Sequence, residues 1–198
     1  SWGLAINEPT TIREKMVLFW YHFIPVNYDD VRNMQRNSAT MNHDYMKLIR
    51  ENCMGNFKTL IKAITKSTAM LVYLGNQYST ASVPNENFAR ELLELCTMGK
   101  LPTQNDTEED IKAASRVLSG WRQAGFTVPY PFTPGFNASY HNQTNKVFST
   151  FFGNTTIPNQ TGSSGANKQD VFFDLLFTHQ KTNIENNIDP RIYRFFAY

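Results

Sequence analysis

Cysteine is scarce in this chain: Cys53 and Cys96 are the only two in 198 residues. That excludes a disulfide-framed fold and a zinc site built on cysteine pairs. Two buried thiols acting as small hydrophobes are a simpler reading than one isolated disulfide. Long apolar runs are also lacking. The longest, Met16 to Ile24, is interrupted by His22 and stopped by Pro25, short of the roughly 18–20 residues a membrane span needs. Excess charge of one sign is missing too. The net charge is +2, and no Lys/Arg run forms a stripe that would track phosphates, so neither nucleic acid nor an anionic membrane is an expected partner. The four histidines have no partner at metal-ligand spacing, and no His-Glu-x-x-His occurs. Glycine-rich nucleotide loops and the Gly-x-Ser-x-Gly elbow are absent as well. Neither a metal nor a cofactor is therefore expected. Ser1-Trp2-Gly3 has no signal-peptide layout, and any such signal of the parent protein would lie outside this chain.

What is present is globular: 41% hydrophobic and 14% aromatic residues, enough for one sizeable core. The pattern is mostly helical. Thr11 and Glu14 fit a capping box that opens a helix running to Ile24, with Ile12, Met16, Phe19, Trp20 and Phe23 on one face. Arg13 projects near Trp20, and a guanidinium there needs a carboxylate or solvent. Residues 29–37 read as a short helix or a loop. A second helix spans Met41 to Met54, stopped by Gly55. A third runs from the Asn56 cap to Lys66, with Phe57, Leu60, Ile61 and Ile64 inward. Ser67 caps a short apolar helix over 69–74, and 75–83 reads as a polar loop. Pro84 to Gly99 is a helix with both ends written in: Asn85 as N-cap and Gly99 as the residue that ends it. Thr107-Glu108-Glu109-Asp110 opens another, with Ile111, Ala114 and Leu118 inward.

The texture then changes to aromatics, Gly, Pro, Thr and Asn. A small irregular β-hairpin excursion is expected near 126–157, with 136–140 facing 146–151. Five Asn-x-Ser/Thr triplets, at Asn105, Asn137, Asn142, Asn154 and Asn159, read as exposed polar surface rather than glycosylation acceptors. Helix resumes near Lys168. Asp189-Pro190 has the form of an N-cap and first helical residue, and the pattern that follows stops without a C-cap. The predicted fold is mainly α: one multi-helix domain over 1–198, packed around Trp20, Phe88, Leu92 and Leu118, and read as a fragment of a longer protein.

Candidate chemistry centres on the Pro84 helix. Phe88, Ala89, Leu92, Leu93, Leu95 and Cys96 fill its apolar arc. Arg90 and Glu94 lie opposite, and Glu86 fits an i,i+4 pair with Arg90. Glu91 falls at the edge of the arc, where a half-desolvated carboxylate wants a cation. Arg13 and Arg50 are its candidate partners, and a buried ion pair tying helices together is the plainer alternative to a polar binding pocket. His22, inside an apolar run, reads more simply as a satisfied core histidine than as a base. His141 opens a segment of Asn, Gln and Thr. The candidate polar patch is thus Arg13, Arg50, Glu86, Arg90, Glu91, His22 and His141, with no catalytic residue assigned.

Several stretches carry a resemblance. Arg13-Glu14-Lys15-Met16-Val17-Leu18-Phe19-Trp20 is similar to a motif of a bacterial family catalogued as domain of unknown function 1800. The ordered matches continue with Arg50-Glu51-Asn52, Gly55-Asn56-Phe57, Ala69 to Leu74 and Pro84 to Gly99. They end with Asp110-Ile111, Gly120-Trp121, His141 to Phe148 around Lys146, and Tyr193-Arg194-Phe195-Phe196. Departures are the single His22 where the family is richer in histidine, and Asn142 where an acidic residue is usual. The resemblance implies an exported, extracytoplasmic setting (periplasmic, cell-surface or secreted) and no defined activity. Two functions remain open. One is a helical binding or structural module that recognises a surface polymer or partner protein. The other is an extracytoplasmic hydrolase-like enzyme using a carboxylate/Arg/His pocket.

Overall fold

The computed structural model describes residues 12–27, 29, 38–100, 108–123 and 134–197. It is 70% helical, with eight α-helices and two small two-stranded antiparallel sheets among the described residues. The helices are α1 (Ile12–Phe23), α2 (Ser38–Asn52), α3 (Phe57–Lys66), α4 (Thr68–Tyr73), α5 (Glu86–Leu93), α6 (Glu108–Leu118), α7 (Lys168–His179) and α8 (Lys181–Ala197). The mainly α fold expected from the sequence is the one observed.

Local chemistry sets most helix starts. The Asn56 side chain accepts from Thr59 N, Ser67 from Met70 N and Asn85 from Phe88 N, so the three expected caps are made. Asn85 also donates Nδ2 to the Leu74 carbonyl at 2.9 Å, which fixes the entry to α5 against the end of α4. The core is continuous from α1 to α8 and includes Trp20, Phe88, Leu92 and Leu118. Two buried polar anchors tie α1 to α2. Trp20 Nε1 donates to the Cys53 carbonyl at 3.1 Å, and the Tyr45 hydroxyl to the Ile24 carbonyl at 2.6 Å. Both cysteines are free thiols.

Four details depart from the sequence reading. Ile12 is exposed, so the apolar face of α1 starts a turn later, with Val17, Phe19 and Trp20. After Leu93 the backbone widens into one π-helical turn, Glu94–Met98. Thr97 Oγ1 bonds back to the Leu92 and Leu93 carbonyls, both at 2.9 Å. The extra residue in that turn rotates the phase: Leu95, placed on the apolar arc, is 56% exposed, while Thr97 and Met98 are buried. Gly99 does end the segment, at φ +80°.

The strand pairing also differs. β1 (Trp121–Gln123) pairs with β2 (Pro134–Phe136), and β3 (Lys146–Val147) with β4 (Thr156–Ile157); residues 138–140 form a 3₁₀ turn instead of a strand. Finally, α8 starts at Lys181 and carries Pro190 in its interior. Pro190 and its neighbour Asp189 are exposed, so the lost backbone bond falls where water can replace it. The short element considered at 29–37, apart from Asp29, and Thr11, Asn105 and Thr107 lie outside the described residues.

Candidate functional site

The charged residues singled out in the sequence do not converge. Arg50 clasps Glu14 with both guanidinium arms, Nη2 to Oε2 at 2.8 Å and Nη1 to Oε1, joining α2 to α1. Arg13 is exposed, and its Nη1 donates to the Arg50 carbonyl at 3.5 Å. Arg90 does not depend on Glu86 for a carboxylate. It pairs with Glu94 one turn later at 3.8 Å and with Glu108 across on α6 at 2.9 Å. The Arg90 hydrogen bond holds the Glu108 carboxyl below its ordinary range. Glu86 is exposed. Glu91 is half-buried, but no ion pair to it occurs among the described residues. The expected bridge from Arg13 or Arg50 to the Pro84 helix is therefore corrected: Arg50's partner is its neighbour Glu14. His22, expected in the core, is exposed on α1, because it shares the outer face of the helix with Leu18 and Lys15, one and two turns earlier, which are exposed too.

His141 is the exception, and it lies in a buried polar knot. The end of α6 and the turn after it fold under the 138–147 segment. His141 Nδ1 donates to the Ser119 carbonyl at 2.9 Å, since a carbonyl can only accept. Asn142 N donates to Ser119 Oγ at 2.9 Å. The close approach needs Gly120, at φ +90°, where a Cβ would meet the Asn137 carbonyl at 3.0 Å and His141 Cβ at 3.1 Å. Burial pushes the His141 pKa down, the Ser119 bond partly restores it, and the nearby Lys146 charge lowers it further. The ring is thus neutral at pH 7, with Nε2 as a buried acceptor that has no hydrogen-bond partner among the described residues. Asn142 is also buried: its amide donates to the Ala81 carbonyl at 3.0 Å and its Oδ1 accepts from Thr144 Oγ1 at 2.6 Å. The exposed surface expected at that Asn-x-Thr triplet is not found there.

Lys146 was missed as a site residue. It is fully buried and donates from Nζ to the Asn142 carbonyl at 2.6 Å. Burial, then the charges of Lys168 and Arg116, push its pKa down to about 8. The signal in the sequence was its position inside the His141–Phe148 stretch, where a lysine stands alone among Asn, Gln and Thr. Beyond it, Ser149 N and Oγ each donate to the Asp110 carboxylate at 2.7 Å, fastening this segment to the first turn of α6.

A second feature is apolar. Between α1, the start of α3, α7 and α8 lies a groove of about 560 Å³, lined by Met16, Trp20, Met54, Phe57, Phe177 and Ile188 among others. Trp20 and Phe57 stack at 5.2 Å, and Phe57 meets Phe177 at 5.8 Å. Its rim carries Lys58, Lys181, Glu185 and Asp189, charges of both signs. No group of three or more His, Cys, Asp or Glu among the described residues is arranged to hold a metal ion.

The ordered motifs and this helical frame agree with a profile described as "Protein of unknown function (DUF1800)", which matches residues 1–198. The chain belongs to the DUF1800 family. No curated protein and no solved structure matches it. In this DUF1800 chain the motif residues fall into two physical roles. Glu14, Arg50 and Asn85 hold helices together, whereas His141 and Lys146 occupy the buried knot.

Proposed function

We propose that this DUF1800 domain is a helical binding module of an exported bacterial protein, and that its groove beside α8 receives apolar side chains of a partner protein. The observation that carries this reading is the groove itself. Its volume of about 560 Å³ falls within the roughly 300–1,000 Å³ of ligand pockets. Its walls are aromatic and aliphatic, and its balanced rim charges favour no ionic ligand. Lys58 is already paired with Asp174, and Lys181 lies 3.7 Å from Glu185. Shape and apolar burial are left to give affinity. The extracytoplasmic setting rests on the resemblance alone.

The alternative, an extracytoplasmic hydrolase, draws on one observation: the Ser119 bond fixes His141 with Nε2 as a free lone pair, the form a general base needs. Against it, the Nε2 edge is covered by Gly165, where an added Cβ would lie 3.3 Å from that atom. Among the described residues no hydrogen bond or ion pair joins Glu86 or Glu91 to His141.

The binding reading is tested by titrating the protein with the apolar fluorophore 1-anilinonaphthalene-8-sulfonate and following energy transfer from Trp20. Met54→Arg places a charge in the groove at a residue 51% exposed, so the fold is retained. Saturable binding to the folded protein, weakened at least about tenfold by Met54→Arg, is expected. Binding that is non-saturable, or unchanged by the substitution, would overturn it.

A further inference from the structure

His141 is 1% exposed and sits between two glycines. A Cβ on Gly120 would lie 3.1 Å from His141 Cβ, and one on Gly165 would lie 2.8 Å from Cδ2 and 3.3 Å from Nε2. Each glycine also abuts Phe136, at 3.1 Å by the same measure, and the Phe136 and His141 rings are 5.3 Å apart. The ring is therefore wedged in place. Its Nδ1 is spent on the Ser119 carbonyl at 2.9 Å, and Nε2 lies beside Gly165 with no hydrogen-bond partner among the described residues.

In the neutral ring Nε2 is a bare lone pair. A proton there would add an N–H donor and a positive charge, and neither has a counterpart nearby. The sequence holds no Asp or Glu between Asp110 and Asp170, so the segments around the ring are free of carboxylates. The acids on the two flanking helices are engaged elsewhere. Glu108 pairs with Arg90, Glu109 with Lys112, Asp170 with Lys62 and Asp174 with Lys58, while both Asp110 oxygens accept from Ser149. The charged groups on the surrounding elements are cations: Arg116 on α6, Arg122 on β1, Lys146 on β3 and Lys168 at the start of α7. Tyr140, the neighbour of His141 in the chain, is the remaining titratable group there. A buried charge without a partner is costly, and the structure relieves it by exposing the group.

Three hydrogen bonds converge where the ring is held. His141 Nδ1 and Asn142 N donate to Ser119, and Asn137 N donates to the Gly120 carbonyl at 2.9 Å. Together they fasten the 137–142 turn to the end of α6. Further along, Phe148 is buried in the core and its N–H donates to the Thr155 carbonyl at 2.9 Å, a hold that does not involve the histidine.

We propose that His141 is an acid-sensitive latch: protonation of its ring releases the 137–142 turn from the end of α6 while the helical core stays folded. In the opened turn the ring meets water and its pKa returns to about 6.5. The open state then binds more protons than the closed one. The closed state is fully favoured above that value and loses ground as pH falls toward the lower value of the buried ring. The latch is independent of the apolar groove.

The test follows amide hydrogen exchange of the full chain by NMR at pH 7.5 and 5.0. Rates are expressed as protection factors, which remove the direct effect of pH on exchange chemistry. Protection at Asn137 and Asn142 should fall at least about threefold at the lower pH, while Phe148 and Leu92 keep theirs. His141→Asn does not titrate, and its Nδ2 is placed to take over the bond to the Ser119 carbonyl; it should hold its protection at both pH values. The ¹⁵N shifts of the wild-type ring should report the Nδ1–H tautomer at pH 7.5 and a titration midpoint below about 6.5. Wild-type protection that does not change with pH overturns the proposal, as does a fall that persists in His141→Asn. Should that variant not fold, the ring decides: an Nε2–H tautomer, or a midpoint at or above the ordinary value, overturns it equally.

Discussion

Replacing Lys146 by methionine, in buffer free of phosphate and sulfate, should leave the protein at least as stable at pH 7 and flatten its pH dependence between about 8 and 10.5. The ammonium is enclosed and held by one bond, to the Asn142 carbonyl. Burial is the main reason its pKa falls from 10.5 to about 8, with the Lys168 and Arg116 charges adding to it. In the unfolded chain the ordinary value returns. Between the two values the unfolded state binds more protons, so wild-type stability rises with pH through this window. The penalty is full below about 8 and gone above 10.5. That gap corresponds to about 3 kcal/mol at roughly 1.36 kcal/mol per pH unit. Methionine removes this cost but leaves the Asn142 carbonyl unpaired, a loss of about 1–3 kcal/mol. The net at pH 7 runs from about zero to about 2 kcal/mol in favour of the variant, a melting-temperature rise of no more than about 8 °C. Urea denaturation across the window, read as wild type minus variant, cancels other groups, including Tyr45, whose hydroxyl pKa burial raises. A variant that loses more than about 3 kcal/mol at pH 7, or that keeps the wild-type slope, refutes the reasoning.

Arg50→Met should cost about 1.5–3 kcal/mol, because it strips the clasp from a Glu14 side chain that is only 12% exposed; a double-mutant cycle with Glu14→Gln should return most of that as coupling, and coupling near zero would place the clasp among inert surface pairs. Glu91→Gln should stay within about 0.5 kcal/mol of wild type by chemical denaturation, since no ion pair at Glu91 is found among the described residues. A loss of several kcal/mol there would show that its carboxylate is paired after all.

The helical frame was legible wherever a local signal carried its own mechanism. Asn56, Ser67 and Asn85 are each followed three residues later by the backbone N–H they receive, and nothing tertiary competes with so short a bond. Periodicity succeeded for α3 and α6, where Leu60, Ile61, Ile64, Ile111, Ala114 and Leu118 are all buried. It failed after Leu93 because a 3.6-residue wheel has no room for a π-helical turn. Thr97 stabilises that turn by bonding two carbonyls at once, a choice that depends on burial and not on spacing. The strand partners failed for a related reason. Segments of two or three residues have too few side chains to set a register, and β1 pairs with a strand eleven or more positions away in sequence.

The polar patch was less legible because sequence ranks charged residues by the element they sit on, while their role depends on what lies across from them. Arg13 and Glu91 both project toward apolar arcs on a helical wheel, yet Arg13 is exposed and Glu91 finds no cation among the described residues. Arg50 and Arg90 look equally suited to a binding pocket, but each has its carboxylate within the frame. Lys146 shows the converse. On a two-residue strand a lysine is ordinarily solvent-facing, and alternation alone cannot say which side of so short a strand is covered. The cover comes from α6 and the start of α7, more than twenty residues away in either direction, and the charges of Arg116 and Lys168 on those helices act on it. A lysine enclosed there against two other cations is costly to keep in a core that methionine would fill. Stability alone therefore does not account for a lysine in that place.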